Sequence, residues 1–263
     1  MRSEKNTKID QDTKMAWEKN WEEKGLPEIM EIFDYPRVSE QMEIFLKYLP
    51  RDKRILEGGC GLGPYLIKLK SLGYNIIGID YNLAPLKEIN KYDSSNILFC
   101  ANVENLPFPD NYFGAYLSLG VIEHFTAGPV KAVKEAFRVL EKNGIFLVKI
   151  PRTSIFERIS YPLTFLKKNK TIRKFFGKEE KFSYWEQHFD ITEISGILKQ
   201  SGFDILDIIP MDQEHALIAY SSMFRDKLSY DGANKLGIKL AVFCKNFLPW
   251  ATASDMILIC KKK

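Results

Sequence analysis

Cysteine is sparse in this sequence, and none of it is paired. Cys60, Cys100, Cys244 and Cys260 form no Cys-x-x-Cys pair and no zinc-like spacing. That excludes a disulfide framework or a structural zinc site and predicts a reduced, cytoplasmic interior. Long apolar runs are missing as well. None approaches the roughly 18–20 residues that a membrane-crossing helix needs, so a soluble protein with at most peripheral membrane contact is expected. The first fourteen residues are dense in charge without an apolar centre, and no secretory leader is expected there. Nor is charge of one sign in large excess. Lys and Arg number 38 against 34 Asp and Glu, a net charge of +4 that is too slight to argue for nucleic acid. Across 263 residues, 45% are apolar and 27% charged, which excludes disordered, collagenous and fibrous chains. This length allows one large domain or two small ones.

What is present is an alternation of short apolar runs and amphipathic stretches from about Arg54 to Pro151. The pattern predicts strands at 54–56, 75–79, 96–101, 113–119 and 144–150. Helices are expected at 65–72, 83–92 and 130–140 between them. Strands spaced by helices pair in parallel through right-handed crossovers. The predicted fold is therefore a doubly wound α/β sheet with its ligand at the C-terminal strand ends. A single domain over 1–263 is expected, with a helical cap at 1–50 covering one face and a core at 51–150. A lid rich in aromatics and lysine follows at 151–190, because a structureless loop of that length is uncommon in a compact domain. The C-terminal part, 191–263, is read as helix 191–201, strand 203–209 and strand 255–260, with a helical insertion at 211–253 patterned at 215–227 and 233–247.

The strongest chemical signal is Glu57-Gly58-Gly59-Cys60-Gly61-Leu62-Gly63 at the end of the first strand. Glycines there let a ligand approach the backbone at a helix N-terminus. A tight turn with no ligand would read the same way. The spacing is GxGxG followed by Pro64, which disfavours the dinucleotide fingerprint, and a Walker lysine is absent. Asp80 ends the second strand, where a carboxylate can accept from a ribose diol. Asn102 ends the third, either as a turn residue or as an amide facing a purine edge. His124 follows the fourth strand, and His188 lies at the end of the lid within Tyr184-Trp185-Glu186-Gln187-His188-Phe189.

These segments, with Gly78-Ile79-Asp80, 102–110, Ser118-Leu119-Gly120-Val121-Ile122-Glu123-His124 and 135–144, resemble the class I S-adenosylmethionine-dependent methyltransferases. The likeness is to the broad small-molecule group called type 11, strong over about 50–151 and weak beyond. It implies a Rossmann-like seven-stranded sheet and S-adenosylmethionine as cofactor. Glu57 and the backbone of Gly58, Gly59, Cys60 and Gly61 would face the methionine part, and Asp80 the ribose. Tyr81, Asn102 and Val103 would flank the adenine, with Leu119 and Gly120 beside the sulfonium. The family more often has aspartate where Asn102 stands; an amide keeps two donors and an acceptor.

Transfer to a hydroxyl needs alignment, exclusion of water and a base. His124 and His188 are the candidate bases, each equally readable as a packed or surface histidine. A metal held by Glu123 and His124 is disfavoured, since neighbours on a regular strand point apart; no metal is expected. No Asn-Pro-Pro-Tyr or Asp-Pro-Pro-Tyr segment and no Pro-Cys pair occurs, which disfavours DNA as acceptor. The expected acceptor is a small or lipid-like molecule methylated at oxygen. The basic run Lys167, Lys168, Lys170, Arg173, Lys174, Lys178 and Lys181 reads as a solvated face or as a lid that meets anionic lipid. A non-catalytic subunit that keeps the fold is the rival reading, and a nicotinamide enzyme comes third.

Overall fold

A computed structural model describes residues 12–17, 19, 25–159, 186–226 and 232–263. Its strands are β1 (Arg54–Gly58), β2 (Asn75–Asp80), β3 (Ile97–Cys100), β4 (Phe113–Leu119), β5 (Leu140–Pro151), β6 (Phe203–Met211) and β7 (Asp255–Lys262). They form one sheet in the order β3-β2-β1-β4-β5-β7-β6. The first five pair in parallel, as their helical spacing requires, and β7 runs antiparallel between β5 and β6. The order reverses at β1, which lies between β2 and β4. That reversal opens a crevice over the C-terminal ends of these strands.

The helices are α1 (Leu26–Met30), α2 (Pro36–Tyr48), α3 (Pro64–Ser71), α4 (Leu83–Tyr92), α5 (Val130–Val139), α6 (Ile191–Gln200), α7 (Gln213–Tyr220), α8 (Lys235–Phe247) and α9 (Pro249–Thr252). Successive strand residues face opposite ways. Ile55, Leu117, Leu147 and Ile257 pack with Phe45 of α2, Leu66 and Leu69 of α3, and Leu86 and Ile89 of α4. Their chain neighbours Leu56, Tyr116, Val148 and Leu258 pack with Val133 and Ala136 of α5 and Ile194 and Leu198 of α6. With both faces covered, β1, β2 and β4 are buried along nearly their whole length, whereas the edge strands β3 and β6 are half-buried or exposed along most of theirs.

α5 also pins the proline-containing run after β3. Glu135 accepts from the Leu106 N–H at 2.7 Å, while Arg138 donates to Phe108 O at 2.7 Å, Leu106 O at 3.0 Å and Asp110 at 2.9 Å. The backbone groups of this irregular segment are thereby satisfied by side chains. Asn82 caps α4 by accepting from the Ala84 N–H at 3.0 Å, and Asp190 caps α6 through the Glu193 N–H at 2.8 Å.

Three expectations need correction. β5 starts at Leu140, not Gly144: Leu140 pairs with Phe113 and Ile145 with Ala115, so 141–144 loop out, with Asn143 left-handed at φ 65°. α7 ends at Tyr220, short of the patterned 215–227, because Ser221 accepts from the Met223 N–H at 3.3 Å and turns the chain. The N-terminal region does more than cover a face. α2 packs on the sheet, whereas the helical segment 12–17 sits over the crevice. Of the expected lid, 155–159 are helical; Tyr184, Trp185 and the basic run lie outside the described residues, as does Trp21. Among the described residues no helix is long and apolar enough to cross a membrane.

Candidate functional site

Over the ends of β1, β2 and β4 lies a cavity of about 650 Å³. Its floor is the glycine loop. Gly59 has φ +69°, and a Cβ there would meet Val121 Cγ2 at 2.6 Å, so both the conformation and the close approach demand glycine. Gly63, at φ +63°, turns directly into α3 with Pro64 at its first turn. The loop is stitched to β2: the Cys60 N–H donates to Ile79 O and the Gly61 N–H to Asp80 Oδ2, both at 2.9 Å. Asp80 Oδ1 accepts from the Asn82 N–H at 2.8 Å. Burial raises the Asp80 pKa, and the Asn82, Gly61 and Tyr81 amides pull against it. Each oxygen keeps acceptor capacity for a ligand hydroxyl.

Glu57 lines this cavity and is 3% exposed, and its Oε2 has no hydrogen-bond partner. Burial pushes its pKa up to about 8, with the Leu66 amide opposing and the Asp80 charge adding to the rise. A buried, unpartnered carboxylate oxygen beside a glycine cradle suits a ligand ammonium. That is the donor set the methionine end of S-adenosylmethionine requires, so the residues present fit this cofactor.

Cys60, Gly61, Tyr81, Asn102, Val103, Leu119 and Gly120 also line the cavity. Tyr81 is 46% exposed, with the Lys14 ammonium 5.6 Å from its ring centre. Asn102 is a turn residue and a lining residue at once: its Oδ1 accepts from the Glu104 N–H at 2.8 Å. Gly58 is the exception. It does not line the cavity, and a Cβ there would overlap the Tyr116 ring, so packing between strands fixes its identity.

A second cavity of about 230 Å³ adjoins the first, sharing Trp17, Tyr65, Leu119, Gly120 and His124. His124 sits in the 3-10 turn Ile122–His124, its ring edge-on to Trp17 at 5.7 Å and its Nε2 4.0 Å from Glu123 Oε1. On that turn both Glu123 and His124 reach one cavity, which a strand would forbid. Among the described residues, no group of three or more His, Cys, Asp or Glu is arranged to hold a metal. His188 lines neither cavity. Its Nδ1 lies 3.1 Å from Thr153 Oγ1 and its Nε2 3.2 Å from Glu186 Oε1, and that contact with Glu186 raises its pKa. Glu186, which His188 contacts, lines the second cavity.

Residue-level reading of the sequence missed the base of this second cavity. Lys149 of β5 places Nζ 2.5 Å from Asp212 Oδ2, 3.2 Å from Asp255 Oδ2 and 3.2 Å from Gln41 Oε1. Arg37 stands 3.8 Å from Asp212 Oδ1. Lys149 and Arg37 hold the Asp212 carboxyl well below the usual range, whereas burial and the Asp212 charge push Asp255 up to about 8. The only sequence signal was an ionic residue inside an apolar strand, at Lys149, which invites a partner without naming it.

The sheet order and the glycine cradle define a Rossmann-like α/β fold. Residues 56–148 match the family described as "Methyltransferase domain". The "Probable tRNA methyltransferase 9B" of Bos taurus is 37% identical over 118 residues, covering 44% of this chain and 24% of that protein. A "Probable S-adenosylmethionine-dependent methyltransferase" of Mycolicibacterium smegmatis is 26% identical over 157 residues, 59% of this chain and 53% of that one. The chain thus spans about a quarter of the first of these relatives and half of the second. A solved SAM-dependent methyltransferase from Archaeoglobus fulgidus has the same fold, with TM-score 0.58 and 17% identity over 89% of this chain and 98% of that one. Residues 56–148 thus match a methyltransferase domain, and the relatives and solved structures that the chain resembles include S-adenosylmethionine-dependent methyltransferases.

Proposed function

We propose that this chain methylates a small or lipid-like acceptor at oxygen, using S-adenosylmethionine bound in the larger cavity. The observation that carries this reading is the junction of the two cavities at Leu119, Gly120 and His124. S-adenosylmethionine, when bound, supplies a methyl group on a sulfonium and departs as S-adenosylhomocysteine. Glu57 binds the ligand's ammonium and Asp80 accepts from its ribose, while Tyr81, Asn102 and Val103 face its base. The segment 12–17, through Thr13, Lys14 and Trp17, roofs the cavity and limits water. His124 Nε2 takes the acceptor's hydroxyl proton and is the catalytic base; His188 keeps Glu186 in place.

The first experiment is calorimetric titration with S-adenosylmethionine and S-adenosylhomocysteine, with NADH as control. Micromolar binding of either sulfur ligand supports the reading. Binding of neither favours the non-catalytic subunit, and NADH binding an oxidoreductase. Labelled-methyl transfer to an acceptor screen follows. His124→Ala should lower turnover about 100-fold or more, while full turnover in His124→Ala/His188→Ala removes both as base. A tRNA acceptor is the second reading, favoured by the similarity to the tRNA methyltransferase 9B protein. Total tRNA belongs in the same screen, and label appearing in tRNA alone would replace the small-molecule reading.

A further inference from the structure

The smaller cavity carries chemistry that neither the cofactor nor His124 uses. Two side chains on its wall are buried with a polar atom lacking any hydrogen-bond partner. These are Glu123, 3% exposed, through Oε2, and Gln41, 1% exposed, through Nε2. Leaving such an atom dry and unpaired costs about 1–3 kcal/mol, and native proteins seldom keep two in one place unless something meets them. One is an acceptor and the other a donor.

Lys149 Nζ lies 2.5 Å from Asp212 Oδ2 and 3.2 Å from Asp255 Oδ2 and donates to Gln41 Oε1. Its charge only partly opposes burial, which pushes the Glu123 carboxyl up to about 8. Glu186 is matched by His188 at 3.2 Å. The ammonium on this wall, Lys149, is thus committed to Asp212 and Asp255. Glu123 is also well placed along the cavity. Its Oε1 lies 3.6 Å from where a Cβ on Gly120 would stand, and Gly120 lines both cavities.

Building on the methyltransferase reading above, we propose that this cavity seats the acceptor's head group. That head group is an amine or hydroxyl that donates to Glu123 Oε2 and accepts from Gln41 Nε2, and carboxylate and phosphate head groups are rejected. Glu123 and Gln41 are then the residues that determine acceptor specificity. The rejection is electrostatic, because an anion here would be desolvated while the nearest ammonium, Lys149, is already committed to Asp212 and Asp255. Amines and hydroxyls share the donor that Glu123 needs; an ammonium also favours the ionised form of Glu123 that burial disfavours, and this separates them.

The test uses the full chain loaded with S-adenosylhomocysteine and three probes on one frame: benzylamine, benzyl alcohol and benzoate. Their affinities are measured by saturation-transfer NMR. Benzylamine and benzyl alcohol should bind and benzoate should not. Glu123→Gln, which keeps an acceptor oxygen but no charge, should weaken benzylamine at least tenfold and change benzyl alcohol less than threefold. Benzoate binding as well as benzylamine, an unchanged benzylamine affinity in Glu123→Gln, or no binding of any probe each overturns the proposal. Should Glu123→Gln not fold, Gln41→Leu takes its place. It must weaken both binding probes at least fivefold, and unchanged affinities overturn the proposal. Failure of the wild-type protein to bind S-adenosylhomocysteine in calorimetry would instead sink the cofactor reading, so the two failures are told apart.

Discussion

The two halves of the sheet solve the problem of holding a ligand in opposite ways. On the β1–β4 side the site is built from backbone: a glycine loop, strand ends in parallel register, and carboxylates at the C-terminal ends of β1 and β2. On the β5–β7 side it is built from side chains drawn from distant parts of the chain. Gln41, Lys149, Asp212 and Asp255 meet there across an antiparallel pairing. A backbone site accepts one shape of ligand and suits a cofactor shared by many enzymes. A side-chain site is easily rebuilt, which suits the acceptor. The family match fits that division, since residues 56–148 run from β1 through β4 and most of β5 but reach neither β6 nor β7.

The largest effect should come from breaking the ionic base of the acceptor side. Lys149→Met leaves Asp212 and Asp255 buried together with only Arg37 nearby, and should cost about 3 kcal/mol of stability. Chemical denaturation reads this directly, and a variant as stable as wild type would show that solvent reaches the cluster. Next comes Asp80→Ala, which removes both the Gly61 tie and the ribose acceptor. Losing hydrogen bonds of about 1.5–3 kcal/mol to a charged group should weaken S-adenosylmethionine binding roughly 10- to 100-fold, and unchanged affinity refutes the ribose assignment.

The smallest effect is on protons. In the empty site Glu57 holds its proton up to about pH 8, while a ligand ammonium beside it favours the ionised form. Binding must therefore release a proton below pH 8, and affinity should rise about tenfold per unit between pH 6 and 7 and level off above pH 8. Calorimetry at pH 7 in two buffers of different ionisation enthalpy should count close to one proton. A count of zero would mean Glu57 does not meet the ammonium, and Glu57→Gln should abolish the linkage.

Much of the backbone-built half was legible in the residue order. β2, β4 and α4 lie where the apolar runs predicted them, because a buried parallel strand and an amphipathic helix are local patterns. Gly58 misled for an instructive reason. Its place in a glycine cluster reads as a ligand contact, but the Tyr116 ring on the neighbouring strand is what excludes a side chain. For His188, only the fold reveals that it lines neither cavity and contacts Glu186, which lines the second.

By itself the sequence determined the parallel core, the glycine turn after β1 and the place of Asp80 at the end of β2, because all of these follow from spacing within short stretches of chain. Only the tertiary structure decided that residues 12–17 roof the crevice and that Glu123 and His124 share one turn. It also brought Gln41 and Asp255 together at the base of the second cavity. Such groups are far apart in the chain and carry no periodic signal. Their meeting depends on sheet order and on which antiparallel register β7 takes, and those are settled when the two apolar faces pack.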